Sequence, residues 1–180
     1  WATGAGVLLR TKNAGKTWQI IKRGLQNFRR INTIQFINAR EGWLGVDQGQ
    51  TLHTMDGGLT FEIQKTGTTN RPITDLHFIN SLEGWAVAPQ RRDGGFILHT
   101  TDGGNYWKIQ TKTNQPPAAI HFADEQSGWV VMPNTVSLIT KNGGITWKQH
   151  EGSQLSNRMR EKIGRIRFRS HHEAWGIGND

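Results

Sequence analysis

The chain has 180 residues and a formal net charge of +8, from 22 Lys and Arg against 14 Asp and Glu, which makes it one domain's worth of strongly basic protein. It has no cysteine, so disulfides and thiolate chemistry are excluded and the redox compartment is left open. No apolar run approaches the ~20 residues of a membrane-spanning helix, and the many glycines (22) and tryptophans (8) among short apolar runs point to an all-β domain.

In chain order, Trp1-Ala-Thr-Gly-Ala-Gly opens inside a repeat with no signal-peptide pattern, so any targeting segment lies upstream. A first phrase, T-K-N-A-G-K-T-W, covers Thr11 to Trp18. The next repeat reads as four strands, Ile31 to Ile37, Gly42 to Val46, Thr51 to Met55 and Thr60 to Gln64, with T-M-D-G-G-L-T-F (Thr54 to Phe61) between the last two. A third repeat places strands at Ile73 to Ile79, Gly84 to Ala88, Phe96 to Thr100 and Tyr106 to Gln110, around T-T-D-G-G-N-Y-W (Thr100 to Trp107). T-K-N-G-G-I-T-W (Thr140 to Trp147) marks the fourth. The key residues Asn13, Asp56, Asp102 and Asn142 stand 43, 46 and 40 residues apart, the length of a four-stranded propeller blade. A second phrase, F-x6-W, shares the period at Phe36 to Trp43, Phe78 to Trp85, Phe122 to Trp129 and Phe168 to Trp175.

The expected architecture is therefore an all-β propeller of four-stranded antiparallel blades, with units at about 1–30, 31–72, 73–117 and 118–162 and a partial unit over 163–180. Trp1-Ala-Thr-Gly and Trp175-Gly-Ile-Gly occupy the same place in the repeat, so about four blades are present plus a duplicated half-strand. A section of a larger propeller is expected, with a self-contained ring of about four blades as the alternative. Inner strands alternate apolar and polar (Ile34-Gln35-Phe36, Leu76-His77-Phe78, Ile120-His121-Phe122, Ile166-Arg167-Phe168), placing the phenylalanines in the core between blades.

The pattern [ST]-x-[DN]-G-G-x-[TS]-W is the Asp-box, or BNR repeat, and together with Glu41-Gly42-Trp43 and Glu83-Gly84-Trp85 it resembles the photosystem II stability and assembly factor family along the whole chain. Sialidases, xyloglucan-cleaving glycosidases and sortilin-like receptors also carry the Asp-box. The resemblance implies a seven-bladed parent, a non-catalytic assembly or scaffold role, and extracytoplasmic residence in a thylakoid lumen or periplasm. It further implies a nascent photosystem II reaction-centre protein as partner, with its bound pigments, and peripheral association with the membrane. No cofactor is implied.

Physical chemistry accounts for the Asp-box without a ligand. A short polar side chain before two glycines accepts bonds from nearby N–H groups while glycine takes positive φ, so Asn13, Asp56, Asp102 and Asn142 are assigned structural roles. Asparagine in two copies is suited to turn capping and unsuited to acid chemistry. His77 and His121 occupy equivalent inner-strand positions, in a polar row with Gln35 and Arg167, and no metal site is expected there. His53 and His99 are read as strand surface, and His171-His172 as a turn.

Blade topology sorts the charges. One rim carries the loops between blades and those joining second to third strands; it holds twelve Lys and Arg against four Asp and Glu. The Asp-box rim holds four against seven. Arg29, Arg30, Arg71, Arg91, Arg92, Arg158 and Arg160 dominate the basic rim and are the candidate partner-binding residues, since guanidinium forks suit bidentate contact with carboxylate or phosphate.

Enzyme chemistry fits poorly. A sialidase needs a tyrosine nucleophile, and the single tyrosine, Tyr106, sits in an Asp-box where it is expected to pack in a strand. A glycosidase needs two facing carboxylates, and the basic rim offers only Asp47, Asp93, Glu151 and Glu161. No enzyme activity is expected, and the alternative function is a secreted Asp-box module that binds or hydrolyses polysaccharide. Nucleic-acid binding, prompted by a pI of 10.3, is not expected, because apart from Phe28 the basic loops lack interleaved aromatics.

Overall fold

The two sequence phrases pair with each other in space. Phe36, Phe78 and Phe122 on the inner strands lie directly across from Gly42, Gly84 and Gly128, the glycines that precede each tryptophan. Any Cβ at these glycines would come within 2.5–2.6 Å of the phenylalanine ring, so the missing side chain is what admits the ring. The tryptophans after the first two of these glycines lie on the phenylalanine of the next blade, Trp43 on Phe78 and Trp85 on Phe122, and Trp1 lies on Phe36 in the same way, with centroids 3.5–3.7 Å apart and planes within 8°.

This computed structural model describes residues 1–4, 6–28, 30–90, 94–132, 136–151, 163–170 and 173–178. Five antiparallel meander sheets appear among them. The first has three strands, β1 (Ala2–Gly4), β2 (Val7–Arg10) and β3 (Gln19–Lys22). Three sheets of four strands follow. They are β4 (Ile31–Phe36), β5 (Gly42–Val46), β6 (Gln50–Thr54) and β7 (Glu62–Lys65); β8 (Asp75–Phe78), β9 (Gly84–Gln90), β10 (Gly94–Thr100) and β11 (Lys108–Thr113); and β12 (Ala119–Phe122), β13 (Gly128–Val131), β14 (Val136–Thr140) and β15 (Lys148–Glu151). β16 (Ile163–Ser170) pairs with β17 (Glu173–Gly178), and both are described by their backbone alone. Inner strands neighbour one another in series, β4 against β8, β8 against β12 and β12 against β16. The chain is thus all-β, a section of a propeller.

Outer strands start two residues later than the sequence pattern predicts, at Glu62 and Lys108 rather than Thr60 and Tyr106. The cause is the Asp-box side chain. Asp56 accepts the N–H of Thr60 and Asp102 accepts that of Tyr106, which keeps those backbones in the turn. β8 begins at Asp75 rather than Ile73, because the Ile73 N–H donates to the Val46 carbonyl of the preceding blade and is lost to its own sheet.

Consecutive blades are also joined at their outer halves. Gln64 donates from Nε2 to the Gly103 carbonyl at 3.0 Å, and Gln110 donates to the Gly143 carbonyl at 2.8 Å. A Cβ at Gly104 or Gly144 would overlap those same glutamine side chains, and both glycines have positive φ, 93° and 83°. The second glycine of each Asp-box therefore serves both the turn and the seam with the preceding blade.

Candidate functional site: two rims of opposite character

The Asp-box turns lie on one rim with the β4–β5, β8–β9 and β12–β13 turns, to which they are tied by N–H donation from Gly57 to the Arg40 carbonyl, Gly103 to Leu82 and Gly143 to Gln126. In the second blade the Thr54 hydroxyl donates to Asp56 Oδ1 at 2.9 Å and accepts from the Gly58 N–H at 2.9 Å. Asp56 also accepts from the Leu59 and Thr60 N–H groups, at 2.9 and 3.0 Å, and from the Thr60 hydroxyl at 2.5 Å. Asn13 and Asn142 keep the Oδ1 contacts and turn the last one round, donating from Nδ2 to Thr17 and Thr146 at 2.8 and 2.9 Å. At Asp102 the place of that threonine is taken by Tyr106, whose N–H donates at 2.9 Å.

These bonds favour the ionised carboxylate. The Thr60 hydroxyl first and its N–H second hold Asp56 far below the usual carboxylate range. For Asp102, partial desolvation pushes upward, but the Tyr106 N–H and the Thr100 hydroxyl outweigh it and the net shift is downward.

His53 and His99 are not strand surface, as the sequence pattern suggested. His53 stacks on Trp43 with planes 8° apart, and its Nε2 lies 3.4 Å from Glu41 Oε1; His99 stacks on Trp85 and meets Glu83 at 2.5 Å. Both histidines are the direct cross-strand partners of those tryptophans, so pairing the strands in register would have revealed the contact. Ser81 of the next blade donates to the other Glu41 oxygen at 2.8 Å. Tyr106 is also misplaced by the sequence reading: it does not pack in a strand but stands exposed on the rim.

The polar row along the inner strands is a set of links between blades. Gln35 accepts from the Phe78 N–H at 2.7 Å and donates to the Phe78 carbonyl at 3.0 Å, while His77 and His121 meet edge to face with centroids 4.3 Å apart. Asp75, not singled out in the sequence, is buried and accepts from the Thr33 hydroxyl at 2.9 Å and the Ile120 N–H at 3.1 Å, so one carboxylate touches three blades. No group of three or more His, Cys, Asp or Glu among the described residues is disposed to hold a metal ion.

On the opposite rim, Arg30 is exposed, and its carbonyl accepts from the Asp47 N–H. Arg71 is half-buried with its guanidinium 4.8 Å from the centre of the Phe96 ring, while its carbonyl accepts from the Gly49 N–H at 2.6 Å. The ring and the tethered backbone orient that side chain. Arg29, Arg91, Arg92, Arg158 and Arg160 lie outside the described residues. Lys22, assigned to this rim from topology, reaches the other way, and its Nζ donates to the Leu59 carbonyl in the next blade's Asp-box turn at 2.6 Å.

Repeated meander sheets, stacked F/W seams and Asp-box turns on one rim define a section of an Asp-box β-propeller. The family model described as Photosynthesis system II assembly factor YCF48 matches residues 10–118, and the chain belongs to that family. It is similar to the structure of YCF48 bound to D1 peptide, with 26% identity and a TM-score of 0.58 over 66% of this chain and 39% of that one. YCF48 from Cyanidioschyzon merolae shows 25% identity and a TM-score of 0.55, covering 64% of this chain and 38% of that one. The chain thus spans under two fifths of the length of these relatives. The GH74 enzyme of Niastella koreensis shares the fold, with 17% identity and a TM-score of 0.62 over 81% of this chain and 26% of that one. A search of curated proteins found no match.

Proposed function

We propose that this chain is a non-catalytic docking module of a photosystem II assembly factor, and that its arginine-rich rim captures a nascent reaction-centre subunit, D1, on the lumenal side of the thylakoid membrane. Family membership and the likeness to a YCF48 structure bound to D1 peptide support the partner. The observation that carries the choice of rim is the charge division. With Lys22 moved to the rim it reaches, the rim bearing Arg30 and Arg71 has eleven basic and four acidic residues in the sequence, against five and seven on the other. Such a division concentrates a positive field on one side and steers an acidic segment towards it. Arg71, oriented by Phe96, and exposed Arg30 are the two described anchors, with Arg29, Arg91, Arg92, Arg158 and Arg160 completing the proposed site.

A non-enzymatic role is supported by the way the carboxylates are employed. Asp56 and Asp102 are committed to their own turns, Asp75 to neighbouring blades, and Asp47 accepts from Asn32 at 3.2 Å. The test is capture from detergent-solubilised thylakoid membranes by the tagged chain and by a variant with Arg29, Arg30, Arg91 and Arg92 changed to Ala. D1 and its pigments should be enriched by the first and much reduced with the second. Equal recovery by both would reject the arginine rim, and turnover of a polysaccharide by the chain would replace the docking function with a glycosidase one.

A further inference from the structure

Among the described residues, the most exposed large apolar side chains stand on the Asp-box rim. Met55, Leu59, Leu82, Tyr106 and Ile145 are 59–78% exposed, and all five stand on the Asp-box rim of the second to fourth blades. The remaining exposed large apolar residues among those whose side chains are described are Trp18, in the first Asp-box, and the outer-strand residues Ile20, Ile63 and Ile109. Soluble surfaces carry scattered apolar residues, but five so exposed on the turns of three successive blades give that rim the apolar character of an interaction surface.

That rim is also rigid. Ser81 to Glu41 joins turns of the second and third blades, outer-strand Gln64 and Gln110 hold the next blade's Asp-box through Gly103 and Gly143, and each Asp-box is closed by its own Asp or Asn. Side chains presented from such turns lose little freedom when a partner covers them. The turns of these three blades hold Arg40 and Lys141, and Lys22 reaches in to the Leu59 carbonyl, so three cations stand against six carboxylates, Glu41, Asp56, Glu83, Asp102, Asp124 and Glu125. The bonds that close the turns hold both Asp56 and Asp102 below the ordinary carboxylate value, so both are charged at neutral pH.

We propose that the Asp-box rim is a second docking surface, whose occupant is a basic amphipathic protein segment with apolar side chains set among Lys or Arg. Charge complementarity selects this occupant. An acidic segment is repelled from this rim and drawn to the other, and an anionic bilayer is repelled by the same carboxylates. The chain then holds two partners of opposite charge on opposite rims, as a factor that brings subunits together requires. The second surface does not depend on what occupies the first.

The probe is a synthetic amphipathic Leu/Lys peptide, with its Leu/Glu counterpart and phosphatidylcholine vesicles, with and without phosphatidylglycerol, as comparators. Although the chain itself carries +8, it should bind the Leu/Lys peptide saturably. Changing Leu59, Leu82 and Ile145 to Gln should raise Kd at least ~10-fold, about 1.4 kcal/mol. Arg30→Ala with Arg71→Ala should leave Kd unchanged, which separates this surface from the proposed D1 site. In the unmutated chain, hydrogen exchange should slow on peptide binding in residues 55–60, 79–83 and 141–146. No binding, protection confined to the arginine rim, or equal affinity in a folded triple variant would overturn the proposal. Vesicle binding that the triple variant loses would overturn it too, by making the rim a lipid surface.

Discussion

Trp43 lies flat on Phe78 of the following blade, with ring centroids 3.7 Å apart and planes 7° from parallel, and its Nε1 donates to the Gly103 carbonyl at 2.9 Å. One side chain thus joins the second blade to both the inner strand and the Asp-box of the third. Trp43→Ala removes the stack, the bond and a fully buried ring, and should cost about 3–5 kcal/mol, read by urea denaturation. A loss below about 1 kcal/mol would mean that the seam is not a principal source of stability.

Gly84→Ala is a one-carbon change with a comparable reach, since the new Cβ would meet the Phe78 ring at 2.5 Å. Overpacking of this kind should destabilise by about 1–3 kcal/mol in the same denaturation experiment. Gly4→Ala, where no atom lies within 4 Å of the new Cβ, is the control and should be nearly silent.

Asp102→Ala deprives the Tyr106 N–H and the Thr100 hydroxyl of their acceptor and should cost about 0.5–2 kcal/mol, by analogy with helix caps. Asp102→Asn should recover most of that loss, because Asn13 and Asn142 already close the same turn with an amide. Thermal melts of the two variants beside the parent chain decide this. An asparagine variant as unstable as the alanine one would show that charge, rather than acceptor geometry, closes the turn.

The lowered Asp56 and Asp102 values make stability pH-dependent with a definite sign. A carboxylate whose folded-state value lies below its ordinary 3.8 contributes fully above that value, and the contribution is lost as pH falls below it through the depressed folded value. Melting temperature should therefore decline on the acid side of about pH 4. In an Asp56→Asn, Asp102→Asn double variant that decline should be shallower. Identical acid limbs in the two proteins would remove these turns as its source.

Much of the fold was legible because its causes are local. Gly42, Gly84 and Gly128 and the Phe and Trp around them repeat at blade spacing, and the Asp-box turn is written in consecutive residues. β5 begins and ends where the pattern placed it, Gly42–Val46. Several of the failures share another cause, which is that they depend on partners on another strand or blade. Asp75 matters through Thr33 and Ile120, His53 and His99 through the tryptophans across the strand, and Lys22 through the next blade's turn. Tyr106 was misjudged because Asp102 holds its backbone in the turn and turns the ring out. The basic rim was legible only as a count of charges on one side, since loops have no period from which to read which arginines converge.

The central claim, capture of D1 through the arginine rim, is tested most directly by titrating the chain with a fluorescent D1-derived peptide at several salt concentrations. Exposed charges are screened over about 10 Å at 0.1 M salt, so affinity should fall as salt rises. The variant with Arg29, Arg30, Arg91 and Arg92 changed to Ala should bind at least ~10-fold more weakly, with a shallower salt dependence and an unchanged melting temperature. Equal affinity and equal salt dependence in the two proteins would contradict the account.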